Sequence, residues 1–413
     1  MLALIAPVGA LMLGLATLLV GNGLLGTLLP VRAGIENFPT FAIGVMGSAY
    51  FIGFVVGCLL GPRLVHRAGH IRTFTAVVAI ASTMALVHLL VVEPVVWWAA
   101  RATAGFCFAC IYMVVESWLN ERATNETRGT ILAVYTMINL VAITAGQFLL
   151  TLYDPASFPL FVVVSMAFSL GAVPVALSRA PSPAPLTSVR LRPLRLYALS
   201  PVGFGGCFAV GLASGAFWTL APLFVIDSGR SVTQIAEFMA VVIVAGAVAQ
   251  WPFGRLSDHM DRRYVLAIAC ALACLAGLAL AVSSYYASAA GLLVSAALFG
   301  AFSFPMYALC VAHANDVMAR EEFVEASSGL LLANGLGSVC APLIGSLAMV
   351  SIGPSGLFLY TALIHGALVV FVLHRMRRRA VLPGDHAQFV PLTETTPSVV
   401  TLDPRSDETP AAP

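Results

Sequence analysis

Lysine is absent from these 413 residues, and all 21 basic residues are arginines. The missing amine excludes chemistry that depends on it, such as a Schiff base to a carbonyl substrate or a P-loop lysine on phosphate. Charge of either sign is scarce. Only 10% of residues are charged, 60% are hydrophobic, and the mean hydropathy is +0.94. Soluble domains carry about 25% charged residues. A chain this apolar cannot cover its surface with groups that water solvates, which excludes a string of soluble domains, a disordered chain and a collagen-like repeat. No Walker A sequence, HExxH or GxSxG occurs, so ATP hydrolysis, zinc proteolysis and an α/β-hydrolase site have no support. The expectation is a chain that is not an enzyme and carries no cofactor or metal.

What is present is apolar length. About 20 mostly apolar residues cross the hydrocarbon core as a helix. Such runs recur twelve times, over 3–29, 41–61, 73–92, 95–118, 130–151 and 158–178, then 200–225, 233–253, 264–283, 288–312, 326–350 and 357–374. They are continuous rather than alternating, which excludes a transmembrane barrel. Met1 to Val31 has no basic residue and too long an apolar stretch for a signal peptide, so the first run reads as a retained helix.

The arginines orient these spans. With the N-terminus inside, eighteen of them fall in inside loops and the tail, two (Arg32 and Arg230) fall outside, and Arg101 lies within span four. By the positive-inside rule both termini are cytoplasmic, and the expected location is the bacterial inner membrane. The stretch 179–199, with four prolines and four arginines, breaks the hydrophobic rhythm and separates six spans from six. The expected organisation is a six-helix bundle over 1–178, a cytoplasmic linker over 179–199, a second bundle over 200–379 and a disordered tail over 380–413.

The halves repeat each other weakly. Thr27-Leu28-Leu29-Pro30, read as ending the first span, returns as Thr219-Leu220-Ala221-Pro222, and Arg63-Leu64 as Arg255-Leu256, both 192 residues on. At an offset of 195, Gly105, Tyr112 and Asn139 match Gly300, Tyr307 and Asn334. Because six spans separate the copies, they share one orientation and are related by an axis along the membrane normal, with a midplane site expected between them. The predicted fold class is all-α: twelve transmembrane helices in two pseudo-symmetric six-helix bundles.

The segment Gly254-Arg255-Leu256-Ser257-Asp258-His259-Met260-Asp261-Arg262-Arg263 resembles the inside-loop motif of the major facilitator superfamily, G-x-L-x-D-R-x-G-R-R, with His259 and Asp261 departing from it. The first-half copy, Gly61 to Arg72, is more degenerate: it keeps Arg67 and Gly69 and has His66 at the aspartate position. Arg101-xxx-Gly105-xxx-Ala109 is similar to a span-four pattern of that superfamily. Glu121 and Arg128-Gly129 reproduce its E-x6-R-G spacing. With Val114-Val115-Glu116-Ser117 and Gln250-Trp251-Pro252-Phe253, the chain looks most like the YcaD-like branch. The resemblance implies a secondary transporter working by alternating access. Arg67, Gly69, Arg72, Glu121, Arg128, Gly254, Arg255, Asp258, Arg262 and Arg263 would then form cytoplasmic gate motifs.

Polar side chains inside spans are costly unless they face a cavity or a partner. Arg101, Gly105, Ala109, Tyr112 and Glu116 advance by three or four residues, which places them on one helical face, read as turned toward the cavity. Helical rise separates Arg101 from Glu116 by about 22 Å. Arg101 is either an anchor for an anionic solute or a latch partner for a carboxylate, or else a structural arginine that snorkels or bonds to carbonyls. Glu116 is either a proton carrier or, the reading the sequence favours, half of an inner-end salt bridge. Asn22, Asn139, Gln147 and Asn334 serve as substrate contacts or as interhelical glue, with the repeat-related pair Asn139 and Asn334 assigned to the cavity. Trp218, Tyr112 and Tyr307 are further lining candidates, though packing explains any one of them. His365 is a second titratable candidate.

Gly53-xxx-Gly57-xxx-Gly61 and Gly337-xxx-Ala341-xxx-Gly345 are small-residue stripes, expected to pack spans two and eleven together across the halves. The eight cysteines lie in or beside apolar runs without ligand sets and read as small buried residues. Expected partners are the lipid bilayer, a small organic solute and protons, with no nucleic acid, and the chain is expected to act as a monomer.

Overall fold

The computed structural model describes residues 9–122, 127–177, 192–283, 285, 288–318, 323–378 and 389. Among these residues the regular structure is entirely helical. The first half is α1 (Gly9–Ile35), α2 (Thr40–Ala68), α3 (His70–Leu90), α4 (Pro94–Arg122), α5 (Arg128–Leu149) and α6 (Pro159–Ala176). A short α7 (Pro193–Leu199) follows. The second half is α8 (Pro201–Asp227), α9 (Val232–His259), α10 (Arg262–Ser283), α11 (Ala289–Ser303), α12 (Pro305–Asn315), α13 (Phe323–Ile352) and α14 (Gly356–Arg378). Taking α11 and α12 as one span, twelve are long and apolar enough to cross a bilayer.

Local chemistry sets the boundaries. Gly69, at φ 83°, turns the chain between α2 and α3, and Gly353, at φ 89°, does so between α13 and α14. Ser231 and Gln234 close a capping box on α9, and the Ser200 hydroxyl accepts the Gly203 N–H at the start of α8. Pro305 lacks the N–H that would bond to residue 301, so span ten is two helices rather than one. Other prolines are carried within helices. Pro30 does not end α1, which continues to Ile35, and Pro222 sits likewise inside α8. The helix α7 lies in the stretch expected to be linker, and the tail from 380 lies outside the described residues except for Phe389.

The outer surface is apolar all round, as a lipid-facing surface must be: Leu13, Met137, Val248 and Leu363 are each more than 60% exposed. Without a hydrophobic drive between helices in lipid, close backbone approach holds them together. A Cβ on Gly105 of α4 would fall on the Tyr50 carbonyl of α2, and one on Gly300 of α11 would fall on the Val242 carbonyl of α9. The same correspondence joins Gly23 on Ile143 (α1 on α5) to Gly215 on Ser338 (α8 on α13). These pairs recur at the offsets of 192 and 195 found in the sequence, so the repeat is a repeat of helix seams.

The small-residue stripes need a correction. Gly53, Gly57 and Gly61 pack on Ala102, Phe106 and Met113 of α4, inside the first bundle. Gly337, Ala341 and Gly345 pack on Phe208, Gly215 and Leu220 of α8, inside the second. The reason is that each stripe matches a backbone seam of its own bundle. α2 and α13 do meet across the halves, but through Gly44 against Pro342 and Ser346 and through Gly335 against Val55, while Gly47 abuts Thr219 of α8.

Candidate functional site

Between the bundles lies a cavity of about 180 Å³ walled by helices of both. That is room for a small organic molecule rather than a single water. Its two sides differ in chemistry. The first bundle presents polar groups: Asn22 and Thr27 from α1, Tyr50 from α2, Arg101 and Tyr112 from α4, Asn139 and Gln147 from α5. On α5 the residues Asn139, Ile143 and Gln147 are spaced by four and share one face. The second bundle presents rings, Phe217 and Trp218 from α8, Phe299 from α11 and Phe304 at its end, together with Met239 and the polar side chains of Ser214, Thr219, Gln250, Ser303 and His365.

Among the described residues that line the cavity, Arg101 is the only formally charged one. Its guanidinium carbon stands 4.3 Å from the centroid of the Tyr50 ring, a cation–π contact, and its Nε is buried without a hydrogen-bond partner. Gln147 is already engaged: its amide nitrogen donates to the Gly23 carbonyl at 3.3 Å, and its oxygen accepts from Thr27 Oγ1. It joins α1 to α5 as well as facing the cavity. Asn139 Nδ2 donates to the Tyr135 carbonyl one turn back, at 2.9 Å. Across the cavity, Ser214 Oγ and His365 Nδ1 are buried and unpartnered. The His365 ring lies 5.9 Å from that of Phe299.

Of the residues singled out from the sequence, Asn22, Arg101, Tyr112, Asn139, Gln147, Trp218 and His365 lie in the cavity wall. Three do not. Glu116 is fully buried behind it, accepting a hydrogen bond from Tyr135 Oη at 3.0 Å. Of the face that carries it, Arg101 and Tyr112 line the cavity, whereas Gly105 and Ala109 pack against Tyr50 and Gly57 of α2. Asn334 is buried and donates to the Cys207 carbonyl at 3.4 Å, tying α13 to α8, so only one member of the repeat-related pair reaches the cavity. Tyr307 is buried within the second bundle. Sequence reasoning passed over Tyr50, Thr27 and Gln250. An amide inside an apolar run was the signal that flagged Gln147, and it applies equally to Gln250.

The arginine motifs lie on helix ends rather than in loops, because α2 and α9 run on to Ala68 and His259. In the second bundle they form a bonded cluster. Buried Arg262 pairs with Asp316 at 2.7 Å, and its other arm stands 3.7 Å from Asp258. Arg263 donates to both oxygens of Asp261 at 2.8 to 3.1 Å, so the residue that departs from the motif is itself a partner. Burial raises the Asp261 carboxyl, but the hydrogen bonds from Arg263 outweigh it and hold the group below the ordinary carboxylate range. Asp258 also accepts the Phe389 backbone N–H at 2.7 Å, and the Phe389 ring covers Gly254. Arg255 lies over Trp251 at 5.3 Å. In the first bundle Arg67, Arg72 and Glu121 are exposed, Gly69 is the turn, and the Arg128 side chain lies outside the described residues.

Comparison with known proteins gives the following. The Major Facilitator Superfamily profile matches residues 2–147 and 203–404. The "Uncharacterized MFS-type transporter YcaD" of Escherichia fergusonii is 30% identical over 379 residues, covering 90% of this chain and 96% of the relative. An "Uncharacterized MFS-type transporter" of Yersinia pestis (strain Pestoides F) is 27% identical over 388 residues, covering 92% and 97%. Among solved structures, a mutant of the nucleoside transporter NupG superposes with a TM-score of 0.73 at 13% identity, covering 88% of this chain and 99% of that one. A bacterial homolog of the human lysosomal transporter Spinster gives 0.73 at 14%, covering 91% and 98%, and the E. coli fucose:proton symporter FucP gives 0.57 at 15%, covering 90% and 99%.

Proposed function

Because the chain belongs to the major facilitator superfamily, we propose that it is a secondary transporter that carries a small organic solute through the cavity between its bundles by alternating access. The observation that carries this reading is the cavity itself, whose wall is divided between the two bundles, so that rocking one against the other changes which end is open. The cavity is complete within one chain, which supports a monomer as the working unit. The bias of eighteen arginines to two supports cytoplasmic termini in a bacterial inner membrane. In that orientation the contacts of Gly44 and Gly47 with Ser346 and Thr219 close the outer end. The Arg262–Asp316 and Arg263–Asp261 pairs, with Asp258, then brace the inner end of the second bundle.

The driving force we propose is a proton gradient, with His365 as the carrier. It stands in the cavity wall with an unpartnered ring nitrogen, whereas Glu116 lies behind the wall and bonded to Tyr135. The test is uptake of a panel of labelled small solutes into proteoliposomes, with and without an imposed pH gradient. Uptake driven by the gradient in the native protein and indifferent to it in His365→Asn is expected. Native flux indifferent to the gradient removes proton coupling, and no flux of any solute removes the transport reading.

A further inference from the structure

Resting on that transport reading, we propose that the solute is an organic monoanion with a flat apolar ring, its acid group on Arg101 of the first bundle and its ring on the aromatic wall of the second. Arg101 is a cation in the wall without a carboxylate beside it: no Asp or Glu is among the lining residues, and Tyr50 offers only its ring face. A cation with its Nε out of water and no carboxylate in the described wall is suited to an anionic partner. The Tyr50 ring stands against the guanidinium group at 4.3 Å. The fork of guanidinium N–H groups is suited to a carboxylate, which it can hold through two parallel hydrogen bonds.

The second bundle supplies shape rather than charge. The Trp218 ring stands 5.5 Å from Phe217 and 5.8 Å from Phe304, at interplanar angles of 72° and 55°, and Phe299 lies 5.6 Å from Phe217. Tilted rings at these spacings form an aromatic surface on which another ring packs edge-on or offset. About 180 Å³ accommodates one or two fused rings and a short acid arm. The unpartnered Ser214 Oγ and His365 Nδ1 on that same bundle would bond to a hydroxyl or N–H carried by the ring. A ligand seated this way touches both bundles and so favours the state that brings them together.

The test is the thermal unfolding midpoint of the purified full chain with matched probes: benzoate, 4-hydroxybenzoate and indole-3-acetate, their three amides, and acetate. Ligands that bind only the folded state raise the midpoint. The aromatic acids are expected to raise it and the amides are not, with acetate acting only at much higher concentration. Arg101→Gln should weaken the aromatic acids by about a hundredfold, the loss of two charge-assisted hydrogen bonds. If that variant does not fold, Arg101→Lys keeps the charge without the fork and should weaken them by about tenfold. Trp218→Ala should erase the preference for aromatic acids over acetate.

Amides as effective as acids, an arginine variant that binds acids like the native chain, or no shift with any acid would overturn the proposal. Uptake of neutral solutes by Arg101→Gln at the native rate would also overturn it while leaving transport standing. Acid-selective binding without flux of any probe would do the reverse.

Discussion

Replacing Gly105 by valine inserts three carbons where α4 lies against α2. The first of them would fall on the Tyr50 carbonyl and stand 3.0 Å from the Phe54 nitrogen. Both are backbone atoms that cannot rotate aside, so the helices have to separate along the seam. Overpacking of this kind costs about 1–3 kcal/mol, and a backbone on the receiving side argues for the upper end. The better helix propensity of valine over glycine returns only a few tenths, so a loss of about 2–3 kcal/mol is expected. Gly300→Val makes the equivalent insertion against Val242, whose Cα would stand 2.8 Å from the new Cβ, and should lose a similar amount.

The two sites lie in different bundles, so the double variant should lose the sum to within about 0.5 kcal/mol. SDS titration of the protein in mixed micelles, followed by far-UV circular dichroism, measures all three. Gly26→Ala is the control: an added Cβ there meets nothing within 4 Å, and stability should hold or rise by up to about 1 kcal/mol. If either valine variant keeps native stability, or if one half is sensitive and the other indifferent, the account of paired seams is wrong.

Other expectations follow from the site. Asn139→Ala should weaken solute binding with little loss of stability, whereas Asn334→Ala should cost about 1 kcal/mol in the same titration and leave binding unchanged. Glu116→Gln keeps an acceptor for Tyr135 and should preserve the response of uptake to a pH gradient; loss of that response would make Glu116 the carrier. At the inner end, Asp261 has a depressed pKa, so its pairing with Arg263 is fully stabilising above the carboxyl's unfolded value and is lost as pH falls through the folded one. Acid titration of stability should therefore show an increment of at most about 1 kcal/mol that Asp261→Asn removes.

The spans were legible because each is a continuous apolar run bounded by charge or by turn residues, a signal that survives in a single sequence. The break at Pro305 and the run through Pro30 were not, since one residue type can end a helix or be carried within it, depending on which neighbours take up the freed carbonyl. Arg101 stood out because charge is rare in such a chain. Tyr50, its ring partner, did not, since a tyrosine in an apolar span looks like packing. The face reading of span four failed at Gly105 and Ala109, whose smallness marks a helix seam rather than a cavity wall. Asn334 was misassigned because its partner, the Cys207 carbonyl, lies 127 residues away on α8. Sequence shows that a polar group needs a partner; only the packing says which one it has.

The two bundles share one pattern of seams, yet their cavity faces do not match: the cation stands on the first, and the cluster of Phe and Trp rings stands on the second among Ser214, Gln250 and His365. If Arg101 holds the acid group as proposed, the ionic requirement sits on the first bundle and the choice of outline mainly on the second. Substitutions on α8 or α11 can retune which outlines fit while the ionic requirement set on α4 stays as it is. A transporter built in this way would broaden or shift its cargo by altering one half alone.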